Sequence, residues 1–144
     1  MKAAPACVLG FDFGTRCIGV AVGECVTSSA RALKTVVARN GEPEWPRLDA
    51  LIDAWQPSAL VVGLPLTLDG SEQAVSRGAR RFAAHLGERY RLLVHLADER
   101  HTSQEAARRF AGARAAGLSR RRDAQSLDAM AAAVILETWL SESA

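Results

Sequence analysis

The chain has 144 residues, 49% of them hydrophobic and 24% charged, which predicts one globular domain over residues 1–144 and excludes a disordered chain. The formal net charge of +2 is too small to indicate nucleic-acid binding by itself, and no segment has the character of a membrane span or a signal peptide. The three cysteines match no zinc-binding spacing and suit a reducing compartment, so we expect a cytoplasmic protein.

The first part of the chain favours β-strands. Residues 6–13 and 18–22 are apolar runs, and the Gly14-Thr15-Arg16 segment between them suits a hairpin connection. A third, more polar strand is predicted over residues 31–37. These three strands would form an antiparallel meander.

Beyond Pro43 the pattern alternates between helices and strands. Helices are predicted over residues 45–55 and 75–86, where apolar residues recur at helical spacing, and strands over 59–62 and 92–96. Thr102 and Glu105 form a capping box that would start a third helix, and the last helix is expected over residues 124–139. The order predicts an α/β fold: a mixed five-stranded sheet, with three antiparallel strands followed by two parallel ones, flanked by helices.

Three acidic residues lie where a carboxylate is unexpected. Asp12 is in the first apolar strand, Glu99 directly follows the fifth strand, and Asp128 is in the last helix. Asp128 starts an apolar stripe that is expected to pack on the sheet, formed by Ala131, Ala132, Ile135, Leu136 and Trp139. A carboxylate in such a stripe is expected to be paired, protonated or bound to a metal.

Each of these acids also has a structural explanation when it is taken alone. Asp12 could bind backbone amides of the Gly14 turn, Glu99 could pair with Arg100 or cap the third helix, and Asp128 could form a buried ion pair. Together, three carboxylates at one sheet edge would repel each other by several kcal/mol, roughly, without a counter-charge. A divalent cation held by oxygen ligands, Mg²⁺ or Mn²⁺, would provide that charge and support phosphodiester cleavage.

Four stretches in order resemble the YqgF family, which is described as pre-16S rRNA nucleases and is similar to the RuvC Holliday-junction resolvases. They are FDFGTR at 11–16 with IGVA at 18–21, VGLPL at 62–66 with Asp69-Gly70, DER at 98–100 with Thr102-Ser103, and LD at 127–128 through AAVIL at 132–136. The resemblance covers nearly the whole chain. No single one of these motifs would be specific, but their combined order and spacing are.

The resemblance implies a ribonuclease H-like fold and Mg²⁺- or Mn²⁺-dependent phosphodiester cleavage in maturation of the 5′ end of pre-16S rRNA. By motif position, Asp12, Glu99 and Asp128 are the implied catalytic and metal-binding acids. The implied partners are structured RNA in ribosomal precursor particles, or branched DNA, with the protein a monomer or weak homodimer. One departure is that the fourth strand carries no acid, so Glu99 lies one strand farther from Asp12, about 4.8 Å across the sheet.

Three arginines are candidate substrate-binding residues. Arg16 follows the Asp12 turn, Arg100 follows Glu99, and Arg121 belongs to a basic run just before the last helix. Guanidinium groups bind phosphates through paired hydrogen bonds, although these arginines could equally neutralise the acids or be solvated.

Three functional alternatives stay open from the sequence. The chain could be a resolvase of four-way DNA junctions, since RNA and DNA present the same phosphates. It could be a nucleic-acid binding module with an inactive site. DFGT at 12–15 also resembles the first phosphate loop of actin-like ATP-dependent kinases, but those proteins need two such domains and a second phosphate motif, which this chain lacks.

Overall fold

The computed structural model describes residues 7–65, 71, 73–98 and 121–143, and in the last range the side chains of residues 128–142. The strands are β1 Cys7–Asp12, β2 Cys17–Glu24, β3 Ser29–Arg39, β4 Glu42–Pro43, β5 Ala59–Leu64 and β6 Val94–Asp98. The helices are α1 Trp45–Trp55, α2 Ala74–Tyr90 and α3 Arg121–Ser143. None of the helices in these ranges combines the length and apolar character that a bilayer crossing requires.

The strands form one mixed sheet in the order β4-β3-β2-β1-β5-β6. Strands β1, β2 and β3 are antiparallel neighbours, while β5 and β6 run parallel to β1. The predicted mixed sheet is therefore confirmed, and β1 lies between β2 and β5. Parallel pairing needs a crossover, and α1 provides it between the β3-β4 hairpin and β5, as α2 does between β5 and β6.

The sheet has six strands, so the prediction of five was wrong by one short strand. Ala38 and Arg39 of β3 pair with Pro43 and Glu42 of β4 across a two-residue turn. Asn40 and Gly41 in that turn have φ values of 50° and 83°. Two central residues with positive φ make the tight hairpin turn that Asn-Gly favours, so this dipeptide was the signal that periodicity missed.

The two faces of the sheet carry separate cores. Side chains from β1, β2 and β5 alternate between the faces, because successive side chains of a strand point in opposite directions. On one face Leu9, Phe11 and Val62 pack with α1 and α2. On the other face Val8 and Val61 pack against α3, whose contacting residues are Ala132, Ala133, Ile135, Leu136 and Leu140. Strand β5 is therefore covered on both faces.

The ends of α1 and α2 are joined by a polar cluster. Arg89 donates two hydrogen bonds to Asp49, at 2.9 and 2.7 Å, and the Tyr90 hydroxyl donates a third at 2.7 Å. The Arg89 guanidinium also lies 4.9 Å from the ring centre of Trp45. These contacts set the packing of the two crossover helices on their shared face of the sheet.

Two predictions about helices have different outcomes. The last helix begins at Arg121 rather than near residue 124 and ends at Ser143 rather than at Trp139. Arg121 therefore lies inside the last helix and not in the segment before it, where the sequence analysis placed it. The helix predicted to start at Thr102 lies outside the described residues.

Candidate active site at the end of the first strand

Asp12 is the last residue of β1 and faces α3. The direction follows from alternation, because Val8 packs in the α3 core and a side chain placed on Gly10 would meet Leu136 at 3.0 Å. Asp12 is two residues beyond Gly10, so it lies on the same face. Its side chain is half-buried, as expected for a carboxylate at the rim of the sheet rather than in the core.

Gly19 brings Asp128 beside Asp12. Gly19 is the antiparallel partner of Asp12 on β2, and partners in such a ladder have Cα atoms about 4.5–5.5 Å apart. A Cβ atom built on Gly19 would overlap the backbone carbonyl of Asp128. The α3 backbone therefore touches β2 at this position, and Asp12 and Asp128 occupy neighbouring places on one face of the sheet.

The other small residues of β2 continue this close contact. A side chain on Gly23 would meet Leu136 and Leu140 at 2.9 Å, and Ala21 is fully buried under α3. Small residues at alternate positions let the helix approach the sheet over its length. This pattern at Gly19, Ala21 and Gly23 is visible in the sequence, and it was the signal for helix docking that the sequence reasoning did not use.

Asp128 lies at the start of the buried part of α3. From Asp128 onward the helix buries Ala132, Ile135 and Leu136 against the sheet, which confirms the predicted stripe. The Asp128 side chain is half-buried, and its burial raises the pKa of the carboxyl above the ordinary aspartate value. The charged form is disfavoured there because the site removes water from the carboxylate, which is the condition under which a cation stabilises it most.

The turn that follows Asp12 is held by several contacts. The Phe13 ring packs between Gly41 and Gly78, whose Cβ positions would lie 3.0 and 2.8 Å from it. The Thr15 carbonyl accepts a hydrogen bond from the Gly41 amide at 3.0 Å, and the Arg16 carbonyl accepts one from the Ala38 amide at 2.8 Å. The β3-β4 hairpin thereby fixes the backbone just beyond Asp12.

The structure describes the side chains of three of the six candidate site residues, Asp12, Arg16 and Asp128. Asp12 and Asp128 are brought together, and Arg16 is exposed at the end of the same turn. Glu99 and Arg100 lie outside the described residues, directly after Asp98 of β6. Arg121 is in the first turn of α3, but its side chain is outside the described part.

The described donors fit a hard divalent cation. Asp12 and Asp128 offer only carboxylate oxygens, the ligand type that Mg²⁺ and Mn²⁺ prefer. Within the described ranges no three His, Cys, Asp or Glu side chains are grouped as metal ligands. Asp12 and Asp128 are the residues that would hold the cation.

The mixed sheet in the order β4-β3-β2-β1-β5-β6, with α1 and α2 on one face and α3 on the other, defines a protein of the ribonuclease H-like fold. The family model described as "RuvX: Holliday junction resolvase" matches residues 6–142, and the chain belongs to this family. RuvX is another name for the YqgF family, so the resemblance found in the sequence is confirmed.

Curated relatives and solved structures agree with this assignment. A protein of Xylella fastidiosa strain M23 named "Putative pre-16S rRNA nuclease" is 56% identical over 135 residues, covering 94% of this chain and 87% of its own. A protein of the same name from Xanthomonas campestris strain B100 is 54% identical over 136 residues, covering 94% and 88%. Thermus thermophilus RuvC in complex with a Holliday junction substrate has a TM-score of 0.56 at 19% identity, covering 96% of this chain and 95% of that one. This last likeness shows a common fold.

Proposed function

We propose that this protein is a metal-dependent endonuclease that hydrolyses phosphodiester bonds during 5′-end maturation of pre-16S rRNA. The observation that carries the proposal is the contact of Gly19 with the backbone of Asp128, which sets a second carboxylate beside Asp12 on one face of the sheet. The names of relatives that are 54–56% identical over most of the chain support the substrate. We place its work in the cytoplasm, on ribosomal precursor particles, as one domain over residues 1–144.

In this proposal Asp12 and Asp128 hold Mg²⁺ or Mn²⁺, and Glu99 is the third acid, which binds the cation or positions the attacking water. A bound divalent cation would polarise the phosphodiester and make water a better nucleophile at neutral pH. Asp12 is positioned by the hydrogen-bonded end of β1, and Asp128 by the packing of α3. Both carboxylates are thus carried by regular secondary structure, Asp12 by a strand and Asp128 by a helix.

The proposed substrate contacts are the guanidinium groups of Arg16, Arg100 and Arg121. Arg16 is exposed four residues after Asp12, and its backbone is tied to β3 through the Ala38 amide. An anchored backbone with an exposed guanidinium suits phosphate binding, because the charge is presented at a defined place while it stays hydrated. The roles of Arg100 and Arg121 rest on their sequence positions.

The test is cleavage of a labelled RNA that spans the 5′ end of the small-subunit rRNA, with Mg²⁺ or Mn²⁺. We expect Asp12→Asn and Asp128→Asn to lower the rate at least 100-fold, while Asp53→Asn, an exposed acid of α1, leaves it unchanged. Equal rates for wild type and Asp12→Asn would contradict the assignment. Tight RNA binding without turnover under either metal would instead indicate a binding module.

Resolution of four-way DNA junctions is the second candidate. The description of the family model and the fold shared with Thermus thermophilus RuvC favour it. The same enzyme preparation should be assayed on a synthetic four-way junction and on the RNA at equal concentrations. Faster symmetric cleavage of the junction, with a dimer detected by sedimentation, would select this function; the rRNA proposal expects faster cleavage of RNA by a monomer or weak homodimer.

A further inference from the structure

The turn that follows Asp12 forms one wall of a cavity of about 360 Å³. Phe13, Val75 and Phe82 supply its apolar surface, and the ring centres of Phe13 and Phe82 are 5.5 Å apart. The cavity lies on the α2 face of the sheet, opposite the Asp12–Asp128 pair. Both are at the same end of the sheet, because Phe13 and Thr15 directly follow Asp12.

Two glycines that line this cavity make room for the Phe13 ring. Gly41 and Gly78 line it, and a Cβ atom on either would lie within 3.0 Å of the Phe13 ring. Any side chain at these positions would push the ring from its place or occupy the space in front of it. The aromatic surface of the cavity therefore depends on the absence of side chains at two positions on separate elements, the β3-β4 turn and α2.

The cavity has neutral polar groups and an arginine at its rim and a carboxylate at one wall. Exposed Thr15, Asn40 and Arg81 lie at its rim, where hydroxyl, amide and guanidinium groups can reach a ligand. Glu42 also lines it, accepts a hydrogen bond from the Trp45 indole at 3.1 Å and faces His85 at 3.7 Å. A carboxylate at that wall repels a phosphate, whereas Arg81 at the rim attracts one.

We propose that this cavity is a subsite for the base of one nucleotide that flanks the scissile phosphate. A cavity of this size with a mainly apolar lining accepts a planar base, and amide or hydroxyl groups at its rim can hydrogen-bond the edge of that base. The sugar-phosphate remains outside, between Arg81 and the exposed Arg16. The nucleic-acid strand thus crosses the end of β1, with its reacting phosphate on the α3 face and a neighbouring base on the α2 face. This role rests on the proposed nuclease function.

The first test needs no cleavage. Nucleoside 5′-monophosphates are titrated into the metal-free protein, and the backbone amide signals of Gly41, Gly78 and His85 are followed by NMR. Saturable shifts at these amides are expected for nucleoside monophosphates and not for ribose 5-phosphate, which lacks the base. Equal shifts with ribose 5-phosphate, or no shifts at these amides, would overturn a base-binding role.

Two alanines of α2 provide a matched pair of variants. Ala74 is exposed and lines the cavity, while Ala84 is exposed on the same helix and does not line it. Ala74→Trp fills the entrance and should weaken nucleotide binding at least tenfold, whereas Ala84→Trp should leave it unchanged. Asn40→Gly, which keeps the positive φ of the turn but removes the amide, should weaken binding about threefold. The same affinity in all three variants and wild type would overturn the proposal.

Cleavage kinetics separate this subsite from the nuclease function itself. If the enzyme cleaves the RNA, Ala74→Trp should raise KM about tenfold with kcat unchanged, and Ala84→Trp should change neither. An unchanged KM in Ala74→Trp with an active enzyme overturns the subsite alone. No cleavage by wild type overturns the nuclease function, and the base-dependent NMR shifts then decide the subsite separately.

Discussion

At the scale of single residues, the distance between the two carboxylates depends on a position that carries no side chain. Gly19 faces the carbonyl of Asp128, a backbone atom inside a helix that cannot change rotamer. Gly23, two positions along the same face of β2, faces side-chain carbons of Leu136 and Leu140 instead. Both glycines face α3, but an added methyl group would meet rigid helix backbone at Gly19 and movable side chains at Gly23.

This difference gives a prediction. Gly19→Ala should lower the free energy of unfolding by about 3 kcal/mol, because the helix backbone must move, and should reduce cleavage because Asp128 moves with it. Gly23→Ala should cost about 1 kcal/mol, since the leucine side chains can repack, and should leave cleavage near the wild-type rate. Urea denaturation and the RNA assay measure both. Equal losses for the two variants would contradict the close approach at Gly19.

At the scale of elements, α1 and α2 are fixed to each other by charge-assisted hydrogen bonds. The hydrogen bonds from Arg89, and then that from Tyr90, lower the pKa of Asp49 to about 2. A carboxyl whose folded pKa lies below its unfolded value stabilises the fold above the unfolded pKa, near 3.9. That contribution is lost as the pH falls through the folded value.

Asp49→Asn tests this cluster by its pH dependence. Between pH 4 and pH 2 the wild type should lose more stability than Asp49→Asn, because only the wild type must protonate this hydrogen-bonded carboxylate. At pH 7 the variant should be slightly less stable, since the Arg89–Asp49 pair is partly exposed and screened by solvent. Thermal unfolding at each pH measures the difference. Parallel stability curves for the two proteins would contradict the lowered pKa.

At the scale of the whole molecule, the sequence predicted the mixed sheet and the apolar stripe of α3 that packs on it. These predictions succeeded because apolar alternation and helical stripes are long enough in β1, β2 and α3 to show a period. Strand β4 was missed because two residues carry no period, although the Asn40-Gly41 turn marked it. The small residues at alternate positions of β2 indicate that a helix docks there, but they do not identify α3, because that contact joins distant parts of the chain.

A cation shared by two distant parts of the chain should stabilise the whole fold. We expect Mn²⁺ or Mg²⁺ at about 100 times its Kd to stabilise the protein by about 2.7 kcal/mol, seen as a higher Tm. Asp12→Asn and Asp128→Asn should each remove most of that shift, and Asp53→Asn should keep it. A shift of the same size in all variants would place the cation elsewhere.

The most direct measurement is anomalous diffraction from crystals soaked in Mn²⁺. We expect an anomalous peak within about 2.5 Å of a carboxylate oxygen of Asp12 and of Asp128, and no peak there in Asp12→Asn crystals. Two adjacent peaks would indicate two-metal chemistry at the same place. Anomalous density only at other positions, in crystals of protein that cleaves RNA with Mn²⁺, would contradict the assignment of Asp12 and Asp128 to the active site.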